Sequence, residues 1–141
     1  MAIDWKIHLV ANGVRCAVCG DIENGFLPGM CDAHTHGMEK YGHPNFQIVL
    51  RMEDSTIMNL LNILGLRVQN GQRFQAGDVI SDICEGYDIR LASVENDDDM
   101  LRVLIPDVNH LFPDDPDCLS PYNLQNLPVT QLYIEKSHWR N

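Results

Sequence analysis

The chain has 141 residues, a length that suits one domain with one hydrophobic core. Apolar residues make up 45% of the sequence and charged residues 21%, proportions that argue against extended disorder. Ten Lys and Arg residues against twenty Asp and Glu residues give a formal charge of −10, and the basic residues are scattered along the chain. This distribution argues against a nucleic-acid-binding surface, so nucleic acid is not an expected partner.

The N-terminal segment has the alternating pattern of a half-buried strand that ends at the turn Asn12-Gly13. Its apolar positions are Ile3, Trp5, Ile7 and Leu9, and its polar positions are Asp4, Lys6 and His8. The segment lacks the apolar core and cleavage site of a secretion signal, and no apolar run approaches the ~20 residues that cross a bilayer. We therefore expect a cytoplasmic protein without a membrane partner.

A cluster of cysteines and histidines follows, and its spacing is typical of a metal site. Cys16 and Cys19 are separated by two residues, and Cys31 begins a Cys-x-x-His sequence that ends at His34. Thiolate and imidazole are the ligands that Zn²⁺ prefers, and four of them close a tetrahedral structural site. We therefore predict a structural Zn²⁺ in a knuckle and loop over residues 14–38. Three unligated core thiols and a redox pair are the alternatives.

The fourth ligand is open between two histidines. His34 repeats the two-residue gap of the first pair, and His36 lies on the same side of an extended chain as His34. An alternative interpretation uses His34, His36 and His43 as an open catalytic centre, with Asp32 or Glu39 as the general base.

The remaining elements follow in order. Phe46 to Leu50 reads as a buried strand, and Asp54 or Ser55 can begin a helix that ends near Gly65. The apolar positions of this helix are Ile57, Leu60, Leu61 and Leu64, spaced to form one face. Beyond it we expect a strand and turn at 67–74, strands at 78–84, 87–94 and 101–105, an acidic loop at 95–99, and an extended proline-rich tail at 106–141.

One helix among five or six strands predicts an α+β fold, with a curved, largely antiparallel sheet and an N-terminal zinc knuckle. The strand connections look too short for helical crossovers, which disfavours a parallel sheet. Residues 1–141 are expected to form a single domain.

Several segments downstream of the first cysteine pair together resemble a known family. They are His34-Thr35-His36-Gly37-Met38, Tyr41 to Phe46, Leu61 to Leu64, Gly71 to Asp78, Ile105-Pro106-Asp107 and Phe112-Pro113. Over residues 32–128 the chain resembles the bacterial family known only as domain of unknown function four-two-six-two. The resemblance implies no activity. Because the cysteine pair precedes the shared region, it also implies that the metal site belongs to a branch of that family.

The sequence thus favours a small zinc-binding protein that acts as a non-catalytic binding or interaction module. Its partner would be another protein or a small-molecule ligand. A small metal-dependent hydrolase built on the histidines is the alternative. No phosphate-binding glycine loop, nucleophile elbow or dinucleotide fingerprint is present in the sequence.

Overall fold

The computed structural model describes residues 3–11 and 25–132. Over these ranges the fold is α+β, as predicted, with one six-stranded sheet and one long helix. The strands are β1 (Lys6–Ala11), β2 (Met30–His36), β3 (Asn45–Leu50), β4 (Val79–Ile80), β5 (Ile89–Val94) and β6 (Asp97–Leu104). The helix α1 spans Asp54–Gln69, and short 3-10 helices span Met38–Tyr41, Tyr122–Leu124 and Val129–Gln131.

The sheet is mixed, with the strand order β1-β2-β3-β6-β5-β4. Four neighbouring pairs are antiparallel, while β3 and β6 run parallel in its middle. The sheet is therefore largely antiparallel, as predicted, and the parallel β3–β6 pair is the feature that was not expected. The chain between β3 and β6 passes through α1 and then through β4 and β5, so several elements together make the crossover that parallel strands require.

Helix α1 covers one face of the sheet, which we call the helix face. Its predicted apolar positions are all buried there, and they pack with Phe46, Ile48 and Leu101 in the main core. The predicted end near Gly65 was wrong, as was the strand at 67–74, because the helix continues to Gln69. Gly65 lies inside the helix, where it makes room for Trp5: a Cβ atom at this position would lie 2.5 Å from the Trp5 indole.

Other strand boundaries also differ from the predictions. The strand expected at 78–84 is reduced to Val79–Ile80, and the acidic run expected as a loop at 95–99 instead opens β6 at Asp97. A tight turn at Asn96, whose φ is 63°, lets β5 pair directly with the acidic start of β6. The exposed positions at this strand start accommodate charged side chains without burying them.

The opposite side of the sheet, the second face, is partly covered by the C-terminal region. Leu132 joins Phe26, Met30 and Val49 in a small apolar cluster. Residues 106–132 form turns and short 3-10 helices where we expected an extended tail. None of the helices in the described ranges is long and apolar enough to span a bilayer.

Candidate metal centre

Strand β2 presents different chemistry on its two sides, because successive side chains of a strand point to opposite faces. Cys31, Ala33 and Thr35 are fully buried, the first two in the core under α1. Asp32, His34 and His36 occupy the alternate positions and turn toward the second face. The spacing of two between these polar residues therefore gathers them on one surface.

The neighbouring strands extend this polar surface into a row across the sheet. His8 of β1 pairs with His34, His34 pairs with Gln47 of β3, and Gln47 pairs with Arg102 of β6. Directly opposed residues project to the same face, so a continuous polar row crosses four strands. At its β1–β2 end the row is exposed, and at Arg102 it is buried.

His8, His34 and His36 form a compact cluster at the exposed end of this row. One nitrogen atom from each ring lies within 4.8 Å of the other two. The Nε2 atoms of His34 and His36 are 3.1 Å apart, close to the ~3.3 Å that separates two nitrogen ligands of a tetrahedral zinc ion. The His8 ring stacks on the His34 ring with 5.4 Å between centroids. These positions fit a metal centre with three imidazole ligands.

Asp32 orients His34, the central histidine of the cluster. Its Oδ1 atom lies 3.1 Å from Nδ1 of His34 and also accepts a hydrogen bond from Nε2 of Gln47 at 3.0 Å. Burial raises the pKa of Asp32, but the hydrogen bonds from His34 and Gln47 outweigh it and leave the pKa below its ordinary value. A carboxylate only accepts, so Nδ1 of His34 carries the proton. The Nε2 lone pair of His34 then points toward His36, where it can bind a metal ion.

The surroundings of His36 favour its neutral imidazole, the form that binds metals. Partial burial, and then the nearby His34 and His8 rings, lower the pKa of His36 below its ordinary value. Three rings in close contact cannot all carry a proton without mutual repulsion.

The structure does not bring Cys31 together with the two predicted histidines. The Cys31 Sγ atom points to the helix face, where its thiol donates weakly to the Ile48 carbonyl at 3.8 Å. Burial raises the pKa of this thiol to about 12, which disfavours the thiolate that zinc requires. In this arrangement one ion cannot contact both Cys31 and His34. Cys16 and Cys19 lie outside the described residues, so the predicted knuckle stays a prediction.

His43, a member of the alternative catalytic set, lies apart from the cluster. It is buried and packs against Phe46 and Phe74. Its Nδ1 atom lies 2.7 Å from the Pro44 carbonyl, and its Nε2 atom accepts the Phe74 N–H at 3.0 Å. With both ring nitrogens engaged, His43 connects two loops and has no free ligand atom.

The two acids proposed as general bases also have structural partners. Asp32 holds His34 and Gln47, as described above. Glu39 accepts hydrogen bonds from the Gly37 backbone and the Asn45 side chain. These contacts stabilise the turn after β2 and the start of β3.

His8 is the candidate ligand that the sequence predictions missed. It was placed on the polar side of the first strand, which is correct. The sequence alone does not reveal the register of β1 against β2, which places His8 opposite His34. The available signal was the combination of a histidine on one polar strand face with a His-x-His pair on the next strand.

Comparison with known proteins finds no matching family model, no similar curated protein and no similar solved structure. The resemblance to the bacterial family of unknown function therefore rests on the quoted segments alone.

Proposed function

We propose that this protein binds a divalent transition-metal ion, with Zn²⁺ as the best match, through His8, His34 and His36. The ion would keep at least one coordination position open for an external ligand, so the protein would act as a metal-dependent binding module. The convergence of three ring nitrogens within 4.8 Å is the observation that carries this proposal.

The chemistry of the donor set supports an open centre over a closed structural one. Closed structural zinc sites take four protein ligands and are rich in thiolates, whereas three histidines and a water molecule form the usual open arrangement. Two of the three rings are exposed, which leaves room for a fourth ligand from outside the protein.

Binding is favoured over hydrolysis by the state of the nearby carboxylates. A hydrolytic zinc centre commonly needs a general base within reach of the bound water. Asp32 and Glu39 are both engaged in hydrogen bonds that maintain the fold. A panel of hydrolase substrates should accordingly give no zinc-dependent activity.

Titration with Zn²⁺ and Co²⁺ tests the proposal. We expect one ion per chain, and we expect His8→Ala, His34→Ala and His36→Ala each to weaken binding by at least about tenfold. His110→Asn is the matched control, because it removes an exposed imidazole elsewhere and Asn tolerates the positive φ of that position.

The Co²⁺ spectrum separates this site from the cysteine site predicted from the sequence. Binding by histidines alone gives no thiolate-to-cobalt charge-transfer band, whereas a cysteine site gives a strong one. A strong thiolate band, with affinity unchanged in His8→Ala, would show that the cysteines hold the ion and would refute the proposal.

A further inference from the structure

The polar row continues from the candidate metal centre into the protein, where it ends on buried Arg102. The Arg102 side chain is only 3% exposed. Its Nε atom donates to Oε1 of Gln47 at 3.0 Å, and Gln47 in turn donates to Asp32 at 3.0 Å. Asp32 contacts His34, so three side chains connect this candidate ligand with the interior.

The directions of these hydrogen bonds follow from Arg102. A guanidinium group can only donate, so Gln47 must turn its oxygen toward Arg102 and its NH₂ group toward Asp32. Asp32 therefore accepts from Gln47 and from His34, so the lone pair of His34 is on Nε2, on the side of His36. Arg102 thus helps to fix the tautomer in which His34 can bind a metal ion.

The same guanidinium holds the C-terminal segment, which we define as residues 122–132. The Nη1 atom of Arg102 donates to the Gln125 carbonyl at 2.9 Å and also to the Leu127 carbonyl. The Gln125 side chain then pairs with the backbone of Ile105 at the end of β6, at 2.8 and 2.6 Å. Arg102 therefore contacts the metal-centre row through one nitrogen and the C-terminal segment through another.

The buried guanidinium of Arg102 is stabilised electrostatically by the Asp32 carboxylate. Burial lowers the pKa of Arg102, and the negative charge of Asp32 opposes that effect. A metal ion on His34 would polarise its Nδ1–H bond and strengthen the hydrogen bond to Asp32. The ion would thereby restrict the position of Asp32, and through Gln47 the position of the guanidinium.

We propose that filling the metal centre tightens the docking of the C-terminal segment onto the second face, through Asp32, Gln47 and Arg102. This inference rests on the proposed function. Because coupling between two sites is reciprocal, loosening the segment should weaken metal binding by the same factor. Arg102 is then a positioning residue for the centre and not a ligand.

Amide hydrogen exchange of the full chain, with and without Zn²⁺, tests the coupling. We expect zinc to slow exchange in residues 122–132 by about tenfold while leaving β4 and β5 unchanged. In Gln47→Leu, which keeps all three histidines, zinc should still bind but exchange in the segment should no longer respond.

A second pair of variants tests the reciprocal effect, that of the C-terminal segment on zinc affinity. Leu132→Ala removes a fully buried side chain that anchors the segment, and it should weaken zinc affinity by about fivefold. Leu119→Ala is the matched control, because that side chain is 47% exposed, and it should leave the affinity unchanged.

The results of these experiments distinguish a failure of the coupling from a failure of the proposed metal binding. Zinc that binds at the histidines without slowing exchange in residues 122–132 would overturn the coupling and leave the proposed function standing. An unchanged response in Gln47→Leu, or unchanged affinity in Leu132→Ala, would do the same. Failure of zinc to bind the unmodified protein would overturn both.

Discussion

The two faces of the sheet differ in what their side chains do. The helix face carries a continuous apolar core in which α1 packs on Phe46, Ile48 and Leu101. The second face has a smaller apolar cluster beside a row of polar side chains that runs from His8 to Arg102. Stability is therefore expected to depend mainly on the helix face, and metal chemistry on the second face.

Strand β2 shows how one segment serves both faces. Its odd-numbered positions from Cys31 to Thr35 are buried on the helix face, and its even-numbered positions from Asp32 to His36 form the candidate centre. Substitutions can thus address one face at a time, because neighbouring residues in a strand have separate surroundings.

The largest expected effect comes from the helix face. Leu61 is fully buried, and Leu61→Ala should lower the free energy of unfolding by about 2–5 kcal/mol. Zinc affinity of the folded protein should not change. Urea denaturation followed by circular dichroism, together with zinc titration, provides the measurement. Met58→Ala, on the exposed side of the same helix, should stay within about 0.5 kcal/mol of the unmodified protein.

A smaller effect is expected at His43, the histidine that lies apart from the cluster. His43→Phe retains the ring but leaves the buried Phe74 N–H without its acceptor, which should cost about 1–3 kcal/mol of stability. Denaturation and zinc titration should show lower stability with unchanged affinity. Reduced zinc affinity in a folded His43→Phe protein would mean that His43 belongs to the metal chemistry, and the division between faces would be wrong.

The smallest expected effect concerns Asp107, which organises the turn after β6. Burial raises its pKa, but the backbone N–H groups of Leu111, Leu119 and Asn109 outweigh that and leave the pKa below its ordinary value of 3.8. A carboxyl with a lowered pKa stabilises the fold above its unfolded-state value, and this contribution is lost as the pH falls through the folded-state pKa.

Asp107→Asn should therefore be less stable than the unmodified protein at about pH 7, and the difference should shrink at about pH 3. Urea denaturation at both pH values measures it. Asp98→Asn, at an exposed position of β6, serves as the control and should show neither effect. A stability difference for Asp107→Asn that is independent of pH would rule out the carboxylate as its source.

The parts of the fold that follow local patterns could be predicted from the sequence. The helix was predicted from the spacing of Ile57, Leu60, Leu61 and Leu64, and the strand at Phe46–Leu50 from its apolar run. The helix end was not predictable, because the glycine that suggested it contacts Trp5, sixty positions earlier in the chain. The parallel pairing of β3 with β6 also depends on long-range packing that no local pattern reveals.

The candidate site, like the fold, could be predicted from the sequence only in part. His34 and His36 were predicted from their spacing as the two candidates for the fourth ligand, and the structure gathers them on one surface. Cys31 satisfied the spacing rule equally well, but its odd position in β2 turns it to the other face. Spacing alone does not fix the phase of a strand, and a shift by one residue exchanges the two faces. Spacing along one strand also does not identify a candidate ligand such as His8, which comes from a neighbouring strand.

The contact between Trp5 and Gly65 has a consequence for how the three histidines come together. Trp5 packs on α1 and donates through its indole to Asn62 at 3.0 Å, immediately before β1 begins. Strand β1 is an edge strand, bonded within the described sheet only to β2, and a slip of one residue would turn His8 to the helix face. The indole holds the start of β1 on the helix, so it sets the alignment of the strand. Two imidazoles come from β2 itself, and the strand that supplies the third is aligned by its ladder with β2 and by the packing of Trp5 against Gly65, three positions before His8.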